Sequence, residues 1–272
     1  MESNLNLSGR QILIIGGAGF LGQHITNAFV ESGSDVRVLD VVQAPASWTR
    51  AEWIVGSIAD RSIAASAIAG CSIVVFLANA SLPGSSHVDL GAEVENHVAT
   101  TVKIAEACAS LGVEQFLFAS SGGTVYGLEA PEGEGLTEAM PTRPRNAYGV
   151  SKLAIEHYLR LLADMHQMRT LSLRIANPYG EGQRASRGQG FVAAAMQHAL
   201  NGSPLPIWGD GSVERDFIHV SDVARAFKMA AGYTGSETVL NVGSGRSISL
   251  RVRLGTHCDR AMRRMRTKAA AA

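Results

Sequence analysis

Between residues 10 and 175, short apolar runs alternate with amphipathic stretches. Gln11–Ile15, Asp35–Leu39, Ile54–Val55, Ser72–Ala78, Gln115–Ala119 and Leu171–Ile175 read as strands. Most of them are apolar at consecutive positions, as expected of strands buried on both faces. Leu21–Ser32, Ile63–Ala69, Val94–Leu111 and Asn146–Met168 carry the helical period between them. Regular strand–helix alternation predicts an α/β fold built on a doubly wound parallel sheet of Rossmann type. The pattern changes after Ile175. Loop-rich Asn177–Gly180 and Arg184–Gly190 lead into a helix over Phe191–Asn201. Strands over Leu205–Trp208 and Asp216–Val220 and a helix over Ser221–Tyr233 follow. The sequence thus predicts a sheet domain over 1–176, a smaller lobe over 177–250 that interleaves with it, and a distinct segment over 251–272.

Composition narrows the class. Hydrophobic residues make up 46% and charged residues 18% of the chain, a balance that fits a globular protein with a sizeable core. The formal net charge is zero, but residues 251–272 hold seven Lys/Arg and one Asp. The remainder carries seventeen basic and twenty-three acidic residues, so the body is mildly acidic and gives no support for nucleic-acid binding. Cys71, Cys108 and Cys258 are widely spaced and odd in number. They read as buried free thiols of a reducing compartment, and no spacing marks a metal site. The N-terminal MESNLNLSGR lacks the apolar centre of a signal peptide. No apolar run reaches the ~18–20 residues of a membrane helix. A cytoplasmic protein with no membrane association is the expectation.

Gly16-Gly17-Ala18-Gly19-Phe20-Leu21-Gly22 follows the first strand and opens a helix. In that context glycines allow a tight turn, and backbone N–H groups can approach a pyrophosphate at the positive helix end. Asp40 lies at the end of the second strand, eighteen residues after Gly22. Its carboxylate would accept hydrogen bonds from a ribose 2′-OH and repel a 2′-phosphate, so NAD is favoured over NADP. Arg37 on the same strand weighs slightly against this, and a purely structural turn with an ordinary strand-end aspartate is the alternative. Tyr148 precedes Lys152 by one helical turn, so both share a face. The lysine charge can stabilise a tyrosinate and hold a cofactor ribose, drawing a phenol of reference pKa ~10 towards working pH. Ser120, Ser121 and Thr124, in FASSGGTVYG off the fifth strand, offer hydroxyls at the carboxyl edge where such sheets bind ligands; a Ser/Gly-rich capping turn is the other reading.

Taken together, these pieces resemble the extended short-chain dehydrogenase/reductase family, in its NAD-dependent nucleotide-sugar epimerase/dehydratase branch, and most closely its UDP-glucose 4-epimerases. GGAGFLG at 16–22, Asp40, LANASLP at 77–83, SSGGTVYG at 120–127, YGVSK at 148–152, NPYGEGQ at 177–183, WGDGSVERDFIHVSDVA at 208–224 and NVGSG at 241–245 come in family order over residues 10–250. The resemblance implies that Gly16, Gly19, Phe20, Leu21, Gly22, Asp40, Ser57, Ile58, Leu77, Ala78 and Asn79 bind NAD, with Tyr148 and Lys152. It makes Tyr148 the catalytic base, Lys152 its electrostatic partner, and Ser121 or Thr124 the assisting hydroxyl. Ser121, Thr124, Tyr148, Asn177 and Arg215 would face the substrate, a UDP-sugar, with Arg215 placed for its diphosphate. The resemblance also allows a homodimer.

Four positions depart from that pattern. Gly122 occupies the place of the family's catalytic Ser/Thr, which leaves the choice between Ser121 and Thr124 open. Gly123-Thr124 stands where dehydratases carry Asp-Glu, which argues against a 4,6-dehydratase. Gly56-Ser57 replaces Gly-Asp and weakens an adenine contact. His97 falls at the asparagine of Asn-Val-x-Gly-Thr, either as a solvated helix histidine or in place of that amide near the nicotinamide. Beyond Leu250 nothing matches the family. The segment RVRLGTHCDRAMRRMRTKAAAA reads as a short basic helix, a truncated or out-of-frame terminus or, least favoured, a nucleic-acid arm. The function expected is C4 epimerisation of a UDP-sugar through transient oxidation. A nucleotide-sugar 4-ketoreductase, or an NAD-binding member impaired by its terminus, are the rivals.

Overall fold

A computed structural model describes residues 7–44, 48, 50–79, 89–127, 135–185, 190–207 and 210–249. Seven parallel strands form the main sheet in the order β3-β2-β1-β4-β5-β6-β9. They are β1 (Gln11–Ile15), β2 (Asp35–Asp40), β3 (Glu52–Val55), β4 (Ile73–Phe76), β5 (Gln115–Ser121), β6 (Arg169–Ile175) and β9 (Val239–Val242). Strand order reverses between β1 and β4, on either side of the first strand, the switch point at which doubly wound sheets bind ligands.

Each face is closed by helices. On one side, α1 (Phe20–Glu31) and α8 (Val220–Ala231) bury Ile25, Phe29, Val223 and Phe227 against Ile12, Ile14 and Val38. On the other lie α2 (Arg61–Ile68), α4 (Thr100–Ser110) and α6 (Ala147–Met165), covering Leu13, Ile15, Phe76, Phe116 and Phe118. Adjacent residues of one strand serve opposite cores, which is why these strands are apolar without alternation. Side chains start four of the described helices, among them α2, where Asp60 accepts from Ser62 and Ile63 N–H groups, and α6, where Asn146 accepts from Gly149 N–H. Such caps contribute about 1 kcal/mol each.

A second sheet, β10-β8-β7, joins Ser247–Ser249, Glu214–His219 and Asn177–Tyr179. The remaining described helices are α3 (Leu90–Glu93), α5 (Gly122–Val125) and α7 (Phe191–Leu200).

Several boundaries differ from the sequence reading. The helix expected over Val94–Leu111 is α3, a π-helical turn over Val94–Ala99 and α4 in succession. Residues 205–207 of the strand expected at Leu205–Trp208 are irregular; Pro204 and Pro206 have no N–H to donate to a ladder. Asn177–Tyr179, expected as loop, pairs with β8 through Phe217, Ile218 and His219. The helix expected to reach Met168 stops at Met165, because His166 turns to extended backbone and Met168 sinks into the core. Strand β9, absent from the sequence reading, returns the chain to the main sheet beside β6. Ala80–Pro83, Trp208–Gly209, Leu250 and the basic segment with Cys258 lie outside the described residues.

Candidate active site

The glycine loop turns directly above β1. Gly16 has φ of +88°, a left-handed conformation that disfavours any side chain, and a Cβ there would come within 2.9 Å of the Ala78 nitrogen. A Cβ on Gly17 would overlap Val38, and one on Gly22 would overlap the Gly16 carbonyl. These glycines let the loop, the helix and the end of β4 meet at backbone distance. Gly19 caps α1 without a side-chain hydrogen bond, leaving the first N–H groups of α1 to a ligand. Phe20 and Leu21 begin the helix, and the Phe20 ring packs edge-on to His24 at 6.0 Å.

Asp40 ends β2 beside this turn. Its carboxylate accepts from Ala18 N–H at 2.8 Å and Val42 N–H at 3.0 Å, so it is already oriented at the loop. Arg37 does not compete for a phosphate there: its guanidinium donates to Glu52 at 2.7 Å and to the Ala67 and Ala69 carbonyls at 2.8 and 2.9 Å. Ser57 and Ile58 follow β3 at the same sheet edge, Ser57 accepting from Ala59 N–H. Loop, carboxylate and strand ends form a backbone-lined cradle that fits a dinucleotide.

Leu77, Ala78 and Asn79 leave β4 beside the glycines. Asn79 Oδ1 accepts from Lys152 Nζ at 2.6 Å, and the Ala119 carbonyl accepts from the same ammonium at 2.7 Å. Lys152 is 1% exposed, with Nζ 4.5 Å from the Phe118 ring centre and 5.4 Å from that of Tyr148. Burial drives its pKa down to about 7, against the raising influence of Glu93 and Glu156. Tyr148 is buried too, and burial first, then the Glu93 charge, raises its pKa. Burial thus favours the phenol form of the tyrosine, and a neighbouring positive charge such as the Lys152 ammonium acts in the opposite direction.

The neighbouring hydroxyls divide three ways. Ser120 Oγ donates to Glu156 and is buried, so it is occupied by the structure and does not face a ligand, contrary to its reading as one of three available hydroxyls. Ser121 ends β5 and caps α5 with no side-chain bond. Thr124 Oγ1 is buried without a partner among the described residues, on the short helix whose Thr124 carbonyl would contact a Cβ at Gly149. Position 122 is tight: a Cβ there would stand 3.1 Å from the Arg174 carbonyl oxygen.

His97 corrects an expectation. Rather than a solvated helix residue, it is 1% exposed, its ring tilted against Tyr148 at 6.1 Å and its Nδ1 3.0 Å from Glu93 Oε1. Burial, then the Lys152 charge, lowers its pKa to about 4. The sequence reading passed over Glu93, although its spacing of four from His97 was a usable signal. It also missed the buried pair of Glu156 with Arg174, whose guanidinium donates at 2.7, 3.1 and 3.2 Å.

The second sheet carries the remaining positions. Asn177 Nδ2 donates to the Asp216 carbonyl at 2.9 Å, and a Cβ at Gly123 would lie 3.9 Å from Asn177 Oδ1, so Asn177 adjoins α5. Arg215 is exposed on β8 and donates to the Glu214 carbonyl. Asp216 accepts from Ser244 and Gly245 N–H groups and ties β8 to the turn after β9.

A parallel sheet with this glycine turn at its switch point is a dinucleotide-binding fold. Residues 12–243 match the NAD dependent epimerase/dehydratase family, and the chain belongs to it, with NAD as its cofactor. It is 32% identical to the dTDP-4-dehydro-6-deoxyglucose reductase of Escherichia coli over 250 residues, covering 88% of this chain and 78% of that protein. The UDP-glucose 4-epimerase of Thermotoga maritima, solved with UDP-glucose, superposes with a TM-score of 0.83 at 29% identity, over 90% of this chain and 80% of that one. That of Thermus thermophilus, solved with NAD, gives 0.80 at 31% identity, over 90% and 81%.

Proposed function

We propose that the protein is a UDP-sugar 4-epimerase of the UDP-glucose/UDP-galactose type. The buried Tyr148–Lys152 pair beside the glycine cradle carries this reading. Gly16, Gly19, Phe20, Leu21, Gly22 and Asp40 hold the dinucleotide, with Ser57 and Ile58 towards the adenine and Leu77, Ala78, Asn79 and Lys152 towards the far ribose. Bound NAD supplies the hydride acceptor and donor for oxidation and re-reduction at C4. Tyr148 Oη takes the C4 hydroxyl proton and later returns one. Lys152 favours the tyrosinate in that exchange. Acid–base assistance of this kind is worth ~10²–10⁴-fold. Thr124, with its orphaned hydroxyl, is the better candidate than Ser121 for the assisting donor. Asn177 and Arg215 hold the nucleotide-sugar, and the lobe has to let the 4-keto sugar present both faces to Tyr148.

Gly123-Thr124 in place of Asp-Glu leaves no acid–base pair for eliminating water. A 4-ketoreductase is the second reading, favoured by the identity with the Escherichia coli reductase. Incubation with UDP-glucose and with UDP-galactose, followed by separation of products, tests the choice. Interconversion with NAD retained over many turnovers supports the epimerase. Net consumption of reduced cofactor on a 4-keto sugar supports the reductase. Tyr148→Phe should keep NAD binding and lose turnover in either case; near-normal activity would refute the assignment.

Tyr158, Leu161 and Met165 are exposed along α6, an apolar stripe that supports pairing of two chains; sedimentation would detect the dimer. The free, buried Cys71 and Cys108 suit a reducing, cytoplasmic setting.

A further inference from the structure

The proposed reaction leaves Glu93 and His97 without a role, yet they are among the most buried titratable groups described. Among the described residues, two carboxylates, Glu93 and Glu156, and two cations, Lys152 and Arg174, are buried. Glu156 and Arg174 neutralise each other through three nitrogen–oxygen contacts. Lys152, in contrast, donates to neutral acceptors, the Asn79 amide and the Ala119 carbonyl. A buried ammonium without an opposite charge is strongly disfavoured and tends to lose its proton.

Of the two carboxylates whose charge bears on Lys152, Glu93 first and Glu156 second, Glu156 is already bound to the Arg174 guanidinium. Glu93 and His97 stand one turn apart on α3 and the π-helical turn, as Tyr148 and Lys152 stand one turn apart on α6. The two pairs face each other, with the His97 ring 6.1 Å from the Tyr148 ring and Lys152 Nζ 5.4 Å from that same ring. The Glu93 carboxylate accepts the His97 Nδ1–H, which fixes the imidazole tautomer and leaves Nε2 as a buried acceptor with no partner among the described residues. The π turn is itself secured: Thr101 Oγ1 donates to the His97 carbonyl at 2.6 Å and Thr100 Oγ1 to the Glu95 carbonyl at 3.1 Å. Single π turns inside helices commonly mark functional positions.

We propose that Glu93, held in place by His97, is the counter-charge of Lys152, and that the two are positioning residues for the Tyr148–Lys152 pair. This rests on the reading of Tyr148 and Lys152 as the reacting pair. The titratable groups bearing on Lys152 are Tyr148 and Glu156 on its own helix, Glu93 on α3 and His97 on the π turn, and Arg174 on β6 is bound to Glu156. With Arg174 matched to Glu156 and His97 neutral, one positive and one negative charge remain. Their balance keeps the ammonium charged beside an apolar ring, where it can favour a tyrosinate.

Lys103, Lys152, Lys228 and Lys268 are the only lysines of the chain. Their side-chain carbons can therefore be followed by nuclear magnetic resonance during a pH titration, with Lys152→Met giving the assignment. The titration is run on the protein alone and saturated with NAD. Glu93→Gln should lower the Lys152 midpoint by about one pH unit or more, and the alkaline loss of turnover should move with it. Urea unfolding of Glu93→Gln, Lys152→Met and the double variant supplies a second measurement that does not depend on turnover. The loss from Glu93→Gln should shrink when Lys152 is also removed. An unchanged Lys152 midpoint, or losses that simply add, would overturn the proposal. If Tyr148→Phe turned over normally while the midpoint still shifted, the charge pairing would stand and the reading of the reacting pair would fall.

Discussion

Acid should find His97 before it finds most of the fold. The folded protein keeps this imidazole neutral down to about pH 4, below its ordinary value of 6.5, whereas the unfolded chain takes up the proton near the ordinary value. Between those two pH values the unfolded state binds more protons, so stability falls as pH falls. The contribution is fully present above pH 6.5 and is lost by about pH 4. At 1.36 kcal/mol per unit the total is about 3 kcal/mol, a large part of the ~5–15 kcal/mol that holds a typical domain together. His97 is 1% exposed, so solvent screening does little to reduce the figure. The assay is urea unfolding at intervals from pH 7.5 to pH 4, on the wild type and on His97→Gln. The amide of His97→Gln can still donate to Glu93 but does not titrate. The wild type should lose about 3 kcal/mol more than the variant over the window, with the difference flat above pH 7. Parallel curves, or a steeper loss in the variant, would refute the argument.

The cradle predicts its own sensitivities. Asp40→Ala should narrow the preference for NAD over NADP, measured by titrating both cofactors against protein fluorescence; tighter NADP binding by the wild type would contradict it. Gly22→Ala would force a Cβ into the Gly16 carbonyl and within 2.6 Å of Gly17 Cα, costing about 1–3 kcal/mol of stability and, through the displaced loop, NAD affinity; calorimetry reads both. Arg174→Met should leave the Glu156 charge buried and cost about 3–5 kcal/mol in denaturant unfolding, with the Tyr126 hydroxyl losing the donor it now accepts from. Of the two hydroxyls, Thr124→Val should reduce turnover more than Ser121→Ala, and the reverse order would give the role to Ser121.

The main sheet and the glycine turn after β1 were legible because their constraints are local. A glycine turn between an apolar strand and a helix, and a carboxylate at the next strand end, leave their mark in neighbouring residues. The same holds for Tyr148 and Lys152, whose spacing of four shows in the chain. What escaped depended on partners far away in sequence. Glu156 reads as an ordinary helix glutamate until Arg174 and Ser120 close on it from the adjacent strands. His97 reads as solvated until α6 covers it. Strands β7, β9 and β10 are three or four residues long, too short to carry a period, and they form because β6 and β8 offer edges to pair with. The proline-flanked Leu205 segment had the right composition for a strand but lacks the N–H groups.

Position and chemistry are separately built in this molecule. The carbonyl of Ala119 on β5 and the amide of Asn79 after β4 fix the Lys152 ammonium, so the strands that shape the cofactor cradle also set the distance from Lys152 to Tyr148. A change that slides β4 against β1 would therefore disturb cofactor and reacting pair together. Asn177 and Arg215 belong to the other sheet, which reaches the main one through Asp216 and the turn after β9. If they hold the nucleotide-sugar as proposed, substitutions there should change which sugar is turned over and leave the Tyr148–Lys152 pair in place. Under the proposed function, sugar preference is therefore expected to follow shape and charge in the second sheet, while Glu93 and His97, packed against α6, are expected to affect turnover of every substrate alike.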